Sequence, residues 1–338
     1  MSYIEKINTI LRPKHEGNPL VLDLFAGCGG LALGFEAQGF STLGFEVDSD
    51  CCETYRHNLS GECIQVELDA SYKFPPSRVV IGGPPCQPFS VGGHQKGVKD
   101  SRDGFPAFIS AVEQVNPDIW MFENVRGLMY KNKSYLDAII TTFEDLGYIV
   151  EYKLLKATHF GVPQNRERMI VVGHRGYFEF PALQSEIITA GDAINDICNI
   201  VVSDSKFLTT SMDEYIAKYE KASKCITPRD LHLDRPSRTV TCRNLAGATG
   251  DMLRVVLADG RRRRLTVREG ARLQSFPDWF EFKGKESSRY KQVGNAVAPL
   301  MAYEIAKAIR KYLDSPIRFN KRDVNKRKSP FQLQLIAE

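Results

Sequence analysis

Cys86 stands inside Pro84-Pro-Cys-Gln-Pro-Phe-Ser90, directly after the apolar run Val79-Val-Ile81 and the pair Gly82-Gly83. Prolines at 84 and 85 fix the backbone and remove two N–H donors from the approach to the thiol. A cysteine that only fills a core needs neither restriction. The setting suits a thiolate nucleophile held in one direction at the end of a strand. Phe25-Ala-Gly-Cys-Gly-Gly30 follows another apolar run, Leu20 to Phe25, and opens a helical pattern. Its glycines allow a tight turn and close ligand approach, and a helix N-terminus offers unpaired N–H groups. Glu46, one strand later, is placed to accept hydrogen bonds from ribose hydroxyls. Together these point to a nucleoside-containing cofactor. With Gly27, Gly29 and Ala32 the spacing approaches the dinucleotide fingerprint, so by itself it fits NAD as well as S-adenosylmethionine, or a tight turn with no ligand.

Two more segments carry charge to strand ends. Glu123 heads Glu123-Asn-Val125 after the apolar stretch Asp118 to Phe122, where partial desolvation favours a protonated, proton-donating carboxyl. Such a residue also serves commonly as a helix cap or salt-bridge partner. Gln164-Asn-Arg-Glu-Arg168 precedes the strand pattern at Met169 and aims two arginines at the same edge, unless it is a surface ladder of ion pairs.

Elements able to position these groups follow from the periodicity. Strands are predicted at Leu20 to Phe25, Thr42 to Glu46, Arg78 to Ile81, Asp118 to Glu123, Tyr148 to Leu155 and Met169 to Val172. Helices fall between them at Leu31 to Gln38, Asp50 to His57, Phe105 to Val115 and Tyr135 to Leu146. Alternating βα units predict an α/β fold with an open, mainly parallel sheet covered on both faces. The alternation stops after Gly173. Residues 176–262 contain helix-like pieces at Ala190 to Ile197 and Ser211 to Lys221, and β-like ones at Thr239 to Cys242 and Leu253 to Leu257. A smaller second domain is expected there, before helical patterns return at Val267 to Leu273 and Pro299 to Leu313.

Charge is uneven. From Lys221 to Arg272 there are 13 Lys/Arg against 5 Asp/Glu, a local +8 in a 338-residue chain whose net charge is +4. That asymmetry predicts a polyanion-binding face, although the run Arg261 to Arg264 also reads as a solvated turn edge. Hydrophobic content of 43% with 25% charged residues excludes a largely disordered chain. No run approaches the ~20 apolar residues of a membrane helix, and the first 19 residues show no secretory pattern, so a cytoplasmic enzyme is expected. The eight cysteines form no C-x-x-C pair and no zinc spacing, which predicts neither a metal site nor a disulfide framework.

In this order, Phe25 to Gly30, Pro84 to Ser90, Glu123 to Val125 and Gln164 to Arg168 closely resemble the DNA (cytosine-5)-methyltransferase family. The match extends to Leu265-Thr-Val-Arg-Glu-Gly-Ala-Arg-Leu-Gln-Ser-Phe-Pro-Asp278 and Gln292-Val-Gly-Asn-Ala-Val-Ala-Pro299. It spans about Leu20 to Leu313, and the compact size looks like the bacterial restriction–modification type.

The resemblance implies a class I S-adenosylmethionine-dependent methyltransferase sheet, Rossmann-like, with a second, smaller target-recognition domain. Residues 1–175 would be the first part of the catalytic and cofactor-binding domain, 176–262 the recognition domain, 263–313 a return to the catalytic domain and 314–338 a basic tail. It implies Cys86 as the nucleophile adding to cytosine C6, Glu123 at N3 and Arg168 at the ring carbonyl, with the base flipped out of the duplex. S-adenosyl-L-methionine would be held by Phe25, Gly27, Gly29, Gly30, Glu46, Val47, Asp69, Ala70, Pro85, Asn295 and Ala296. Val47 stands where many relatives place an aromatic residue. Contacts to DNA would come from Gln87, Ser90, Arg166, Arg238, Thr239, Val240 and Arg243, with Arg235 and Arg254 as further candidates. The segment Ser90 to Gly104 resembles the loop that closes over DNA. Double-stranded DNA is the expected partner, acted on by a monomer, with a cognate restriction endonuclease sharing the target site.

Three other readings compete. An RNA cytosine-5 methyltransferase would use the same chemistry, but the Cys-Phe-Thr tripeptide of the tRNA-modifying branch is missing. Thr241-Cys242 resembles the Thr-Cys context of two-cysteine RNA enzymes but lies inside the basic segment. A nicotinamide-dependent oxidoreductase explains the glycine loop and Glu46 while leaving Cys86, Glu123 and the basic segment without a role. A catalytically silent DNA-binding relative is disfavoured by the intact catalytic positions.

Overall fold

The computed structural model describes residues 1–14, 19–85, 103–130, 132–201, 205–224, 229–247 and 250–315. Cys86, Gln87 and Ser90 lie outside the described residues, as does the tail beyond 315. The chain runs α1 (Tyr3–Ile10), β1 (Leu20–Leu24), α2 (Gly30–Glu36), β2 (Ser41–Glu46), α3 (Ser49–Asn58), β3 (Glu62–Gln65) and β4 (Val79–Gly82). There follow α4 (Phe105–Val115), β5 (Ile119–Val125), α5 (Lys133–Asp145), β6 (Ile149–Lys156), β7 (Gln164–Asn165) and β8 (Glu167–His174). Beyond them come α6 (Ala190–Ile194), α7 (Thr210–Ala222), β9 (Ser237–Arg238), α8 (Cys242–Ala246), β10 (Arg254–Val256), β11 (Arg262–Arg264), α9 (Val267–Leu273), α10 (Glu286–Asn295) and α11 (Pro299–Asp314).

Two compact units result. One holds residues 13–156, 167–182 and 302 onward; the other holds 1–12, 157–166 and 183–301. This partition does not follow the boundaries expected at 176 and 262. Helices α9 and α10 cluster with the segment from 183 and with α1, and the chain rejoins the first unit only at Ala302.

The first unit is built on a seven-stranded sheet of order β3-β2-β1-β4-β5-β8-β6. Strands β3, β2, β1, β4 and β5 run parallel, while β8 is antiparallel to both β5 and β6. Parallel strands covered on both faces read as continuous apolar runs. Accordingly all of Val79–Gly82 is buried, as is β5 from Ile119 to Phe122. Helices α4 and α5 bury one stripe each, Phe105, Phe108, Ala111 and Val112 from α4 and Leu136, Ile139, Ile140 and Phe143 from α5. The Trp120 and Phe143 ring centroids lie 4.0 Å apart, and each such fully buried side chain contributes about 1.5–3 kcal/mol. On the neighbouring strand only glycine fits at 173, because a Cβ there would stand 2.0 Å from Trp120 Cε2.

Within the other unit, β10 and β11 form an antiparallel hairpin and β7 pairs in parallel with β9. Helix α9 starts with a capping box between Thr266 and Glu269. The stretch Thr239 to Cys242, expected to be β-like, is different: Thr241 caps α8, its hydroxyl accepting from Asn244 N while the Asn244 side chain accepts from Thr241 N. Local side-chain hydrogen bonding outweighs the β-branched pattern there. Periodicity alone does not predict strand β3 or helices α1 and α10.

Candidate cofactor and catalytic site

Five parallel strands place their C-terminal ends at one edge of the first unit's sheet, and the candidate groups sit there. After β1 the chain turns through left-handed conformations at Phe25 (φ +58°), Gly27 (φ +55°) and Gly29 (φ +88°) before α2 begins. Gly29 is the N-cap of α2, and a Cβ on it would stand 2.6 Å from Leu59 Cδ1 and 2.9 Å from Tyr55 Cδ2. At Gly27 the opposite holds: no atom of the described residues lies within 4 Å of where a Cβ would be. The loop is therefore pressed against α3 at one glycine and open at the other.

Glu46 ends β2 beside this loop. Its Oε2 accepts from Gly27 N–H, and its Oε1 from Val47 and Asp48 N–H, each at 2.9 Å. Three backbone donors hold the carboxylate in place with acceptor capacity remaining for hydroxyl groups. Asp23, in the middle of β1, is 1% exposed, and among the described residues its carboxylate oxygens make no hydrogen bond of ordinary geometry. Burial, with the Glu46 charge adding to it, pushes its pKa well above the ordinary carboxyl value, while Ala32 N–H at the start of α2 opposes the shift. Sequence reading missed Asp23; its signal was a single acidic residue inside an apolar strand.

At the end of β5, Glu123 is met by a cation from the neighbouring strand. Arg168 Nε lies 2.5 Å from Glu123 Oε1, and the two side chains are only 15% and 13% exposed. Antiparallel register explains the meeting. Arg168 pairs with Val125, so its side chain reaches the diagonal neighbour Glu123 on the same face. The expected proton-donating acid is thus one half of an ion pair, as the salt-bridge alternative allowed. Asn124, also missed, is buried and donates from Nδ2 to Pro84 O at 3.0 Å.

Burial raises the pKa of every described thiol for which a shift is resolved: Cys28 is pushed up to about 12, and Cys51, Cys52, Cys63 and Cys198 also rise. These thiols are protonated and poor nucleophiles near neutral pH. Among the described residues no group of three or more His, Cys, Asp or Glu is arranged to hold a metal ion.

The family model described as C-5 cytosine-specific DNA methylase matches residues 20–311. The chain belongs to that family. It is similar to the Type II methyltransferase M.AplI of Arthrospira platensis, 55% identical over 300 residues that cover 88% of this chain and 87% of the relative. It is also similar to the Type II methyltransferase M.Eco47II of Escherichia coli, 36% identical with 89% of this chain and 80% of that one covered. Among solved structures, the Entamoeba histolytica methyltransferase EhMeth superposes with a TM-score of 0.69 at 16% identity, over 88% of this chain and 99% of that one. A putative DNA modification methyltransferase encoded within an E. coli prophage gives 0.64 at 22% identity, over 88% and 100%. Those two likenesses show the fold, the class I methyltransferase type expected.

For a cytosine-5 DNA methylase, the remaining expected site residues divide clearly. Phe25, Gly27, Gly29, Gly30, Glu46, Glu123 and Arg168 all lie in the first unit at the loops and strand ends just described. Val47 is there too but 58% exposed. Asp69 is exposed, with Oδ1 accepting from Ser71 N and Oγ, and these bonds lower its pKa; Ala70 beside it is exposed as well.

Asn295 and Ala296 belong to the other unit, at the end of α10. So does Arg166, which departs from expectation. It is 1% exposed, and its guanidinium donates to Val240 O at 2.9 Å and Ala296 O at 2.8 Å, tying two loops together instead of facing DNA. Val240 is likewise buried, with its N–H on Gln164 Oε1, and Thr239 donates its hydroxyl to Asn165 O.

Much of the basic segment is internally neutralised. Arg254 is fully buried and paired with Asp230 and Glu220, so it is not available for phosphate. Arg263, equally buried, forms a two-point pair with Glu269. Arg238 is exposed, and the side chains of Arg235 and Arg243 are 54% and 75% exposed.

Proposed function

We propose that this methylase transfers a methyl group to C5 of a cytosine flipped out of duplex DNA within one short sequence, through a covalent bond between Cys86 and C6. The observation that carries the reading is the shared sheet edge, where the Glu46-anchored glycine loop, the Pro84-Pro85 approach and the Glu123–Arg168 pair emerge from neighbouring strands.

C5 of cytosine is a weak nucleophile. Addition of the Cys86 thiolate to C6 moves the C5–C6 π electrons toward C5, and negative charge spreads to N3 and the carbonyl oxygen. Glu123 meets N3, and Arg168 meets the carbonyl while holding Glu123 in line. After the methyl group arrives, loss of the C5 proton and departure of the Cys86 sulfur restore the ring. The target base must leave the stack for a thiol to reach its face.

S-adenosyl-L-methionine, when bound, supplies the electrophilic methyl group. Residues of this chain fit it: Glu46 retains acceptor capacity for ribose hydroxyls, and the open left-handed turn at Gly27 leaves the space a close ligand needs. Phe25, Gly29, Gly30, Val47, Asp69, Ala70 and Pro85, all of the same unit, complete the proposed set. Residues 176–262 serve target recognition, with Arg238, Arg243 and Arg235 as the phosphate and base contacts the exposure supports. Similarity to named Type II methyltransferases supports a protective role beside a cognate restriction endonuclease, and we place the enzyme in the cytoplasm as a monomer. The described residues contain no helix long and apolar enough to cross a membrane.

The test is covalent trapping. A several-kilobase duplex made with 5-fluorodeoxycytidine blocks the final proton loss, so a denaturation-resistant protein–DNA complex should accumulate with wild type and not with Cys86→Ala. Equal trapping by both would overturn the nucleophile assignment.

A further inference from the structure

Both prolines that precede Cys86 have their carbonyl groups engaged. Pro84 O accepts from Asn124, and Pro85 O accepts from Gly104 N–H at 3.0 Å. That second bond joins residues far apart in the chain, at the two ends of the segment that carries Cys86. Gly104 has no room for a side chain, since a Cβ would stand 2.4 Å from Pro85 Cδ and 2.9 Å from Phe25 Cζ. The junction is therefore wedged between Pro85 and the aromatic ring of the glycine loop.

Asp103, the residue before Gly104, is fastened on two sides. Its Oδ1 accepts from Phe105 N at 3.1 Å in the first turn of α4, and its Oδ2 accepts from the Tyr135 hydroxyl on α5. The Phe105 and Tyr135 rings also meet edge-on, with centroids 5.8 Å apart. A hydroxyl on a covering helix is thus connected through Asp103 and Gly104 to the residue immediately before the nucleophile.

We propose that Tyr135 is a positioning residue for methyl transfer: through the Asp103–Gly104–Pro85 clasp it holds the backbone of Pro85, the residue next to Cys86 in the chain. The inference rests on Cys86 being the nucleophile. A misplacement of about 1 Å at a reacting group can cost ~10²-fold in rate, so loss of one clasp bond should be visible in the chemical step.

The experiment measures single-turnover trapping on the 5-fluorodeoxycytidine duplex for the full-length protein, together with KM for S-adenosylmethionine and thermal midpoints. Tyr135→Phe and Asp103→Ala are each expected to slow trapping about tenfold, with KM unchanged within about twofold. The double variant should be no slower than either single variant, because both break the same connection. Asp103→Asn, whose amide can still meet the Tyr135 hydroxyl and Phe105 N–H, should recover most of the rate. Normal trapping by Tyr135→Phe would overturn the proposal, as would losses that multiply in the double variant or that track a fall in thermal midpoint. A wild-type protein that traps no better than Cys86→Ala would instead overturn the nucleophile assignment, and the clasp's role with it.

Discussion

Arg168 meets Glu123 because β8 runs against β5: with Arg168 opposite Val125, its guanidinium falls on the diagonal neighbour. Two residues from well-separated motifs become one unit at the strand end. Arg168→Ala would leave a mostly buried carboxylate without its cation. The expected result is a loss of about 1–3 kcal/mol in stability and a fall in kcat of ~10²-fold or more. Arg168→Lys should retain part of both. Denaturant unfolding and steady-state methyl transfer measure them; wild-type activity in Arg168→Ala would remove the pair from the mechanism.

The two loop glycines should separate folding from binding. Gly29→Ala combines a left-handed backbone with contacts to Leu59 and Tyr55, so it is expected to cost about 2–3 kcal/mol of stability. Gly27→Ala meets no neighbour among the described residues, so its stability cost should be near the ~1 kcal/mol of the backbone strain alone. Its methyl group would, however, occupy the open turn, and S-adenosylhomocysteine affinity should drop about tenfold. Calorimetric titration beside thermal unfolding distinguishes the two; unchanged affinity in Gly27→Ala would move the cofactor elsewhere.

Asp23 gives a pH dependence with a defined sign. Burial holds the carboxyl protonated in the folded chain, whereas in the unfolded chain it ionises at its ordinary value of about 4. Its stabilising contribution is complete below that value and is lost as pH rises toward the raised folded value. Asp23→Asn removes this titration. The variant should therefore gain thermal midpoint relative to wild type, and by a few degrees (~2–4 °C) more at pH 8 than at pH 5. An equal difference at both pH values would contradict a buried neutral carboxyl.

The arginines of the basic segment should fall into two classes. Arg263→Met would strand Glu269 in the interior and cost about 3–5 kcal/mol, without changing how DNA binding depends on salt. Arg238→Ala should leave stability intact and reduce the slope of log affinity against log salt by about one. An Arg238→Ala slope equal to wild type would exclude it from the phosphate contacts.

The sequence was most legible where one residue type had one physical reason to be present. Apolar runs marked β1, β4 and β5, and the glycine turn with Glu46 pointed to the sheet edge where the structure brings that loop and carboxylate together. Expectation failed where partners are distant. The +8 of the basic segment looked like one surface, but Asp213, Glu220, Asp230 and Glu269 neutralise Arg262, Arg254 and Arg263 from positions that no local pattern reveals. Arg166 looked like a twin of Arg168, yet Arg166 lies in one compact unit and Arg168 in the other. The Tyr135–Asp103 contact likewise joins the end of the Ser90 to Gly104 segment to a helix that carries no motif.

The most direct test of the central claim is bisulfite sequencing of a plasmid propagated in a methylation-deficient bacterium that expresses this chain. Protected cytosines confined to one short motif, and absent when Cys86→Ala is expressed, are the expected result, and they would reveal the target at the same time. No protected cytosine from soluble wild-type protein, or protection that persists in Cys86→Ala, would contradict it.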